Sequence, residues 1–193
     1  MTGMRTILLL PLIALTACIG PPPGAFSRLA GPAREGDVAT LRRLVAAGAD
    51  PNVQDPAANR WTPLMHAIHK NQAATVDALI GLGADPARSV NGMTPLLMAV
   101  GTGNAVIVRR LLAAGADPRG DERIVLAAVS GGALSDIDNP LLGRCNSDVI
   151  KALQEKSPDL RVPRGARGHL AMSFARFNHC SDVVNLVSRD REE

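Results

Sequence analysis

The side chains of this 193-residue chain that are best suited to chemistry are three cysteines and four histidines. Two of the cysteines, Cys145 and Cys180, have two plausible roles: a disulfide bond, or a metal site shared with His179 and His169. Their spacing matches no standard zinc pattern, and a disulfide needs no further ligand. A disulfide is therefore the preferred interpretation, and a metal site is the alternative.

Motifs of the common catalytic sites are missing from the sequence. There is no Gly-x-Ser-x-Gly elbow, no Gly-x-x-x-x-Gly-Lys phosphate loop, no His-Glu-x-x-His motif and no pair of carboxylates on one helical face. Spacing alone does not make a catalytic dyad of cysteine and histidine. The sequence therefore predicts a protein that is not an enzyme and that needs neither cofactor nor metal ion.

The charge of the chain is modest and evenly spread. It has 21 Lys and Arg against 18 Asp and Glu, a net charge of +3. Arginines scattered among nearly as many acidic residues are not the concentrated basic surface of a nucleic-acid-binding domain. We therefore expect no nucleic-acid partner.

The elements that must position these residues form a repeat. Gly-Ala-Asp-Pro occurs three times, at steps of 35 and 32 residues, and Thr-Pro-Leu precedes the second and third copies. The copies lie at 48–51, 83–86 and 115–118, and Thr-Pro-Leu lies at 62–64 and 94–96. Self-similarity at this period predicts a solenoid, in which each unit buries its apolar surface against its neighbours.

One unit is predicted to consist of two helices joined by a tight turn. Thr94 is a good N-cap residue, and Pro95 suits the first turn of a helix, where no backbone N–H is needed. Apolar residues then recur every three or four positions up to Gly103, and do so again in the segment that follows. Gly115 fits the left-handed position just after the second helix.

This pattern resembles the ankyrin repeat, most clearly in Thr62-Pro63-Leu64-Met65-His66-Ala67 and in Asn91-Gly92-Met93-Thr94-Pro95-Leu96. The resemblance implies an all-α ankyrin-repeat solenoid over residues 26–188, with about five helix-turn-helix repeats. It also implies that His66 is a structural residue, bonded to Thr62 and to nearby backbone.

The terminal repeats depart from the pattern. In the first repeat, Pro32 predicts a first helix that begins near this residue or is kinked. In the fourth, residues 133–145 are an insertion between the two helices, and the fifth repeat is fainter still. Such departures are common in terminal repeats, which meet solvent on one face.

The repeat organisation also bears on the two cysteines. Cys145 and Cys180 each precede the second helix of a unit, one repeat apart, so the fold should place the two turns side by side. Disulfides persist in exported proteins. We therefore predict a Cys145–Cys180 disulfide that ties the insertion to the terminal repeat and stabilises the fold by about 3 to 4 kcal/mol.

The resemblance implies a concave surface made of first helices and projecting connectors, called fingers. The candidate partner-binding residues on this surface are Trp61, His69, Lys70, Met93, Arg164 and Phe177. Trp61, the only tryptophan, either contacts a partner as a binding hot spot or packs sideways on a neighbouring finger. His69 and Lys70 are either contacts or part of a solvated face.

The N-terminal segment is predicted to be a targeting signal rather than part of the fold. Residues 1–17 combine Arg5 with a short apolar stretch and lead to Leu15-Thr16-Ala17-Cys18, which resembles the bacterial lipoprotein box. The resemblance implies lipidation of Cys18 and an outer-membrane anchor facing the periplasm; an ordinary signal peptide is the alternative. Residues 18–25 then form a Pro/Gly tether, and residues 189–193 a charged tail.

The function that these features favour is a lipid-anchored, non-catalytic module that binds a protein partner in the cell envelope and is itself monomeric. Two alternatives use a different surface or partner. One is an envelope stability or assembly factor that acts through the 133–145 insertion. The other is an immunity-type inhibitor of a toxic enzyme.

Overall fold

The computed structural model describes residues 28–56, 59–130 and 145–188. The predicted signal peptide, Cys18 with its tether, positions 133–144 of the insertion and the charged tail lie outside these ranges. The first described residue is Arg28, so the predicted repeat domain, 26–188, is covered apart from two short internal gaps and its first two residues.

The described ranges contain ten helices, arranged as five successive pairs. Their bounds are α1 (Ala30–Glu35), α2 (Val38–Ala46), α3 (Pro63–His69), α4 (Ala73–Gly81), α5 (Pro95–Gly101), α6 (Ala105–Ala113), α7 (Glu122–Ser130), α8 (Ser147–Lys156), α9 (Ala166–Phe177) and α10 (Ser181–Ser188). Within the same ranges the only β pairing is an isolated bridge between Val90 and Met93. The all-α prediction is confirmed.

The helices form two layers. Each first helix packs on the first helix of the next pair, in the order α1, α3, α5, α7 and α9, and the second helices follow one another in the same way. Within each pair the two helices also contact each other. This nearest-neighbour packing is that of a solenoid of five helix-turn-helix units.

The core is one continuous apolar cluster that runs through both layers. Leu64 and Leu96 of the first-helix layer and Leu79 and Leu111 of the second-helix layer are all buried in it. Alanine and valine fill the spaces between them, as closely stacked helices require. This cluster, the apolar spine of the solenoid, is the continuous core that stacked repeats require.

The Thr-Pro-Leu segments begin helices as the sequence predicts. The side-chain hydroxyls of Thr62 and Thr94 accept the backbone N–H groups of Met65 and Leu97 at 3.3 Å and 3.1 Å. The proline that follows each threonine occupies the first turn. Each threonine thus satisfies one of the backbone donors that a helix leaves unpaired at its N-terminus.

The Gly-Ala-Asp-Pro segments close the second helices. The three glycines have positive φ angles of 93°, 92° and 100°. Each aspartate then accepts the backbone N–H group two residues further along, at 2.8 to 2.9 Å, for Asp50, Asp85 and Asp117 alike. The motif recurs because glycine tolerates the left-handed turn and aspartate folds the backbone after it.

The first repeat accommodates Pro32 because its first helix begins only two residues before this proline. Helix α1 begins at Ala30, so Pro32 lies in its first turn, where its missing N–H group leaves no hydrogen bond unmade. Gly36 ends this helix in the left-handed conformation, with a φ of 81°. The prediction of a helix that begins near Pro32 is confirmed.

Polar contacts one repeat apart keep neighbouring units in register. The Asn52 side chain donates to the carbonyl oxygen of Gly83 at 3.0 Å and accepts the backbone N–H of Asp85 at 2.8 Å. On the second-helix layer, Arg110 pairs with Asp77. Because each of these contacts joins two units, they add orientation to the non-directional packing of the core.

Candidate partner-binding groove

A largely apolar groove of about 370 Å³ lies along the first helices of the third, fourth and fifth repeats. Its apolar lining consists of Met93, Leu97, Leu126, Ala127 and Leu170. Leu97, Leu126 and Ala127 are buried in the core, so the floor of the groove is set by helix packing rather than by mobile side chains. We call these residues, together with Arg123 and Arg167, the groove.

Helix α9 supplies the most exposed apolar part of the groove. Arg167, Leu170, Phe174 and Phe177 follow one another at spacings of three, four and three residues, which places them on one face of the helix. Leu170 leaves 49% of its surface exposed and Phe177 leaves 81%. Large apolar side chains this exposed on a rigid helix are typical of a protein-binding surface.

Two arginines border the groove, and each is paired with an acidic residue. Arg123 contacts Asp121 at 2.5 Å and also donates to the carbonyl oxygen of Gly92 at 2.6 Å. Arg167 pairs with Glu122 at 2.9 Å. The hydrogen bonds from Arg123 hold the pKa of Asp121 below its ordinary value. Because both guanidinium groups already have a carboxylate partner, the apolar floor is the feature that favours binding.

A second cluster of side chains lies where the finger before α3 joins that helix. The half-buried Trp61 ring contacts the rings of His66 and His69, with centroid distances of 5.6 Å and 5.0 Å. Trp61 therefore packs on its own repeat, while part of its ring remains in solvent. His69 and the adjacent Lys70 are exposed at the end of α3.

His66 is buried beside an acidic residue. Its Nε2 atom lies 3.4 Å from Oδ2 of Asp55, within ion-pair distance. Burial lowers the pKa of His66 below its ordinary value, and the negative charge of Asp55 opposes that shift. The family resemblance predicts a bond between His66 and Thr62. The His66 ring instead faces Asp55 and Trp61, and the Thr62 hydroxyl caps α3.

Comparison with known proteins agrees with this architecture. A family model described as ankyrin repeats, three copies, matches residues 29–121, just under half of the chain. The crystal structure of the human ASB11 ankyrin repeat domain is 25% identical, with a TM-score of 0.62 over 84% of this chain and 68% of that one. The fold is an ankyrin-repeat solenoid. No curated protein matches the chain by sequence.

Ankyrin repeats generally mediate protein–protein interaction and are typically not catalytic. In all, 282 solved chains match this one, so the fold does not by itself identify a partner. No helix within the described part of the chain is long and apolar enough to cross a membrane.

The ankyrin solenoid separates the six predicted partner-binding residues into three places. Trp61, His69 and Lys70 lie together at the second repeat, and Met93 lines the groove. Phe177 ends the α9 face that carries Leu170. Arg164, in contrast, lines a separate pocket beyond α9. The binding roles of these residues remain predictions.

Sequence reasoning missed most of the groove. Leu97, Leu126 and Leu170 were not among the candidates, because in an ankyrin repeat each of them is also a reasonable core position. A signal for Leu170 is present in the sequence, since the spacing of Leu170, Phe174 and Phe177 defines a second apolar face on α9 in addition to the buried one. The groove itself exists only when three repeats are stacked.

The two cysteines of the fourth and fifth repeats lie together. Cys145 and Cys180 have their sulfur atoms at disulfide distance and their Cα atoms 5.2 Å apart, across a sequence separation of 35 residues. Their positions at the starts of α8 and α10 account for this proximity, as the repeat period predicts. No group of three or more His, Cys, Asp or Glu residues in the parts of the chain described is placed to hold a metal ion.

Proposed function

We propose that this chain is a non-catalytic interaction module that binds a protein partner on the concave side of the ankyrin solenoid, in the groove. The observation that carries the proposal is the groove of about 370 Å³ with Leu170 half exposed at its edge. The ankyrin fold supports a protein as the partner, since such repeats generally mediate protein–protein interaction.

The physical basis of binding is apolar burial on a prebuilt surface. Fully burying one leucine or phenylalanine side chain is worth about 1.5 to 3 kcal/mol. Leu170 and Phe177 are exposed on one helical face, and the floor beneath Leu170 is fixed by buried side chains. A partner therefore gains apolar contact without the ordering of a loop, a saving that favours tight association.

The groove is tested by introducing a charge at Leu170. Leu170→Glu is expected to reduce the amount of co-purified partner by about tenfold, since the groove would then contain a desolvated carboxylate. Val106→Glu is the matched control, because Val106 is 50% exposed, as Leu170 is 49% exposed, but lies on the second-helix layer. Quantitative mass spectrometry of captured proteins measures the effect.

Equal losses for Leu170→Glu and Val106→Glu would contradict the groove proposal, as would full retention of the partner by Leu170→Glu. Circular dichroism and thermal unfolding of both variants establish that the fold is intact. Both positions are surface positions, so we expect unfolding to change little.

We further propose that Cys18 is lipidated and that the module is anchored to the outer membrane on its periplasmic side. The support is the lipoprotein-like sequence Leu15-Thr16-Ala17-Cys18 and the Pro/Gly-rich segment after it. Two or more acyl chains make anchoring stable where one is marginal. Cys18→Ser is expected to move the protein from the membrane pellet to the soluble fraction; an unchanged distribution would contradict the proposal.

A further inference from the structure

A second pocket lies beyond α9, the first helix of the fifth repeat, at the C-terminal end of the stack. It has a volume of about 490 Å³ and is distinct from the groove. Its polar lining consists of Arg161, Arg164, His169, Ser173 and Arg176. We call it the end pocket.

Helix periodicity explains why the two sites do not overlap. On α9, Arg167 and Leu170 line the groove, whereas Ala171 and Ala175 are buried in the core cluster. His169, Met172, Ser173 and Arg176 are spaced by three, one and three residues and form a third face, the one that lines the end pocket. The helix packs on α7 and on α10.

The finger before α9 forms the opposite wall of the end pocket. This finger approaches the helix closely because residue 168 is a glycine: a Cβ atom there would lie 1.9 Å from the carbonyl oxygen of Pro163. The finger thereby places Arg161 and Arg164 opposite Arg176.

Two of the polar groups are oriented by backbone contacts. The Arg161 guanidinium donates to the carbonyl oxygens of Pro158 and Leu160, at 2.5 Å and 3.0 Å. The Nδ1 atom of His169 lies 2.9 Å from the carbonyl oxygen of Gly165, which makes Nδ1 the donor and leaves Nε2 for other contacts. Side chains held in this way lose less entropy when they bind a ligand.

The charge of the end pocket is one-sided. The guanidinium groups of Arg164 and Arg176 line it, and among the residues that the structure describes no aspartate or glutamate does. In the groove, by contrast, each arginine pairs with a carboxylate. The like charges of Arg164 and Arg176 at one pocket repel each other, so an anionic ligand would stabilise this arrangement.

We propose that the end pocket binds an acidic segment of a protein partner, through carboxylates that contact Arg164 and Arg176. Guanidinium groups bind carboxylates through paired hydrogen bonds. The partly buried Met172 provides apolar surface for the methylene groups of glutamate side chains. A pocket of about 490 Å³ has room for several side chains, more than one small anion needs. This site is independent of the groove.

Binding of a fluorescein-labelled hexaglutamate peptide to the full chain tests the proposal. We expect the Kd of the peptide to rise about tenfold in the double variant Arg164→Gln and Arg176→Gln, through the loss of two ion pairs. The matched control is the double variant Arg42→Gln and Arg43→Gln. It makes the same change in net charge on the exposed surface of α2, at the other end of the stack. The control Kd should change less than about twofold.

Three results would overturn the proposal. Equal weakening in the two double variants would indicate a general charge effect, and an unchanged Kd in the Arg164 and Arg176 variant would exclude the end pocket. Displacement of the peptide by an equimolar amount of inorganic phosphate would indicate a small-anion site. Binding to vesicles of anionic phospholipid in place of the peptide, with the same dependence on these arginines, would indicate a membrane contact instead.

Discussion

His66 is a buried ionisable residue whose charge state is determined by opposing neighbours. Burial favours its neutral form and lowers its pKa, and the positive charge of Arg34 acts in the same direction. The carboxylate of Asp55, 3.4 Å away, favours the protonated form. Since the net shift is downward, the folded protein holds the imidazole neutral at a pH where the unfolded chain already binds a proton.

This shift predicts that the protein loses stability on mild acidification. A group whose pKa is lower in the folded state contributes fully to the stability of the fold above the pKa of the unfolded state, here 6.5. This contribution is lost as the pH falls toward the pKa of the folded state. The free energy of unfolding, measured with urea, is therefore expected to fall as the pH is lowered through 6.5. In His66→Gln this part of the pH dependence should be absent.

The variant Asp55→Asn tests the contribution of the Asp55 carboxylate to the pKa of His66. Removing the negative charge should lower the pKa of His66 further, which NMR titration of the imidazole measures directly. A His66 pKa at or above 6.5 in the unmodified protein would contradict the account of its burial.

At this scale the sequence predicts local structure well and side-chain contacts poorly. The caps by Thr62 and Thr94 and the turns at the three Gly-Ala-Asp-Pro segments depend on neighbours within a few residues, so the motifs specify them. The packing of Trp61 on His69 depends on the angle between a finger and the helix after it. That angle is set by neighbouring repeats, so the sequence left two interpretations open.

Helix α9 shows how one element serves three purposes. Its alanine face packs in the core, its Leu170 face lines the groove, and its Arg176 face lines the end pocket. The first helix of the last repeat can have this third face, because the first helix of an internal repeat has another first helix on both sides. The degenerate sequence of the fifth repeat is consistent with this additional exposed face.

The paired cysteines give a prediction at the scale of elements. If Cys145 and Cys180 are bonded, the starts of α8 and α10 are linked, and the unfolded chain contains a closed loop. Double substitution by serine is then expected to lower the free energy of unfolding by about 3 to 4 kcal/mol, and a reductant should have the same effect on the unmodified protein.

Mass spectrometry without reductant measures the bond itself, as a mass two hydrogens below that of the reduced chain. Cys18→Ser is the matched control, since it replaces a cysteine that is not expected to pair. Alkylation of both Cys145 and Cys180 in the native oxidised protein would contradict the bond.

The sequence also predicts the order of elements, but not which of their exposed residues meet. Met93 and Arg164 both lie in fingers, and sequence reasoning placed them on one surface. In the structure Met93 lines the groove, while Arg164 faces the end pocket on the far side of α9. This separation depends on the close approach of the last finger to Gly168. No repeat motif predicts that contact.

At the scale of the whole molecule, the solenoid is a rigid support for the residues on its surface. The apolar spine runs through all five repeats, and polar contacts such as that of Asn52 with Gly83 keep successive units in register. Because the groove spans three repeats, its shape depends on this register. The proposed function follows from that arrangement: a fixed groove with exposed apolar side chains, suited to a protein partner.

The most direct test of this account is site-specific photo-crosslinking in living cells. A benzoylphenylalanine at position 170 should crosslink to one protein partner, and the same group at position 106 should not, although Leu170 and Val106 are almost equally exposed. Identification of the crosslinked species by mass spectrometry would also name the partner. Equal crosslinking from both positions, or crosslinking from position 106 alone, would contradict the assignment of the groove as the binding surface.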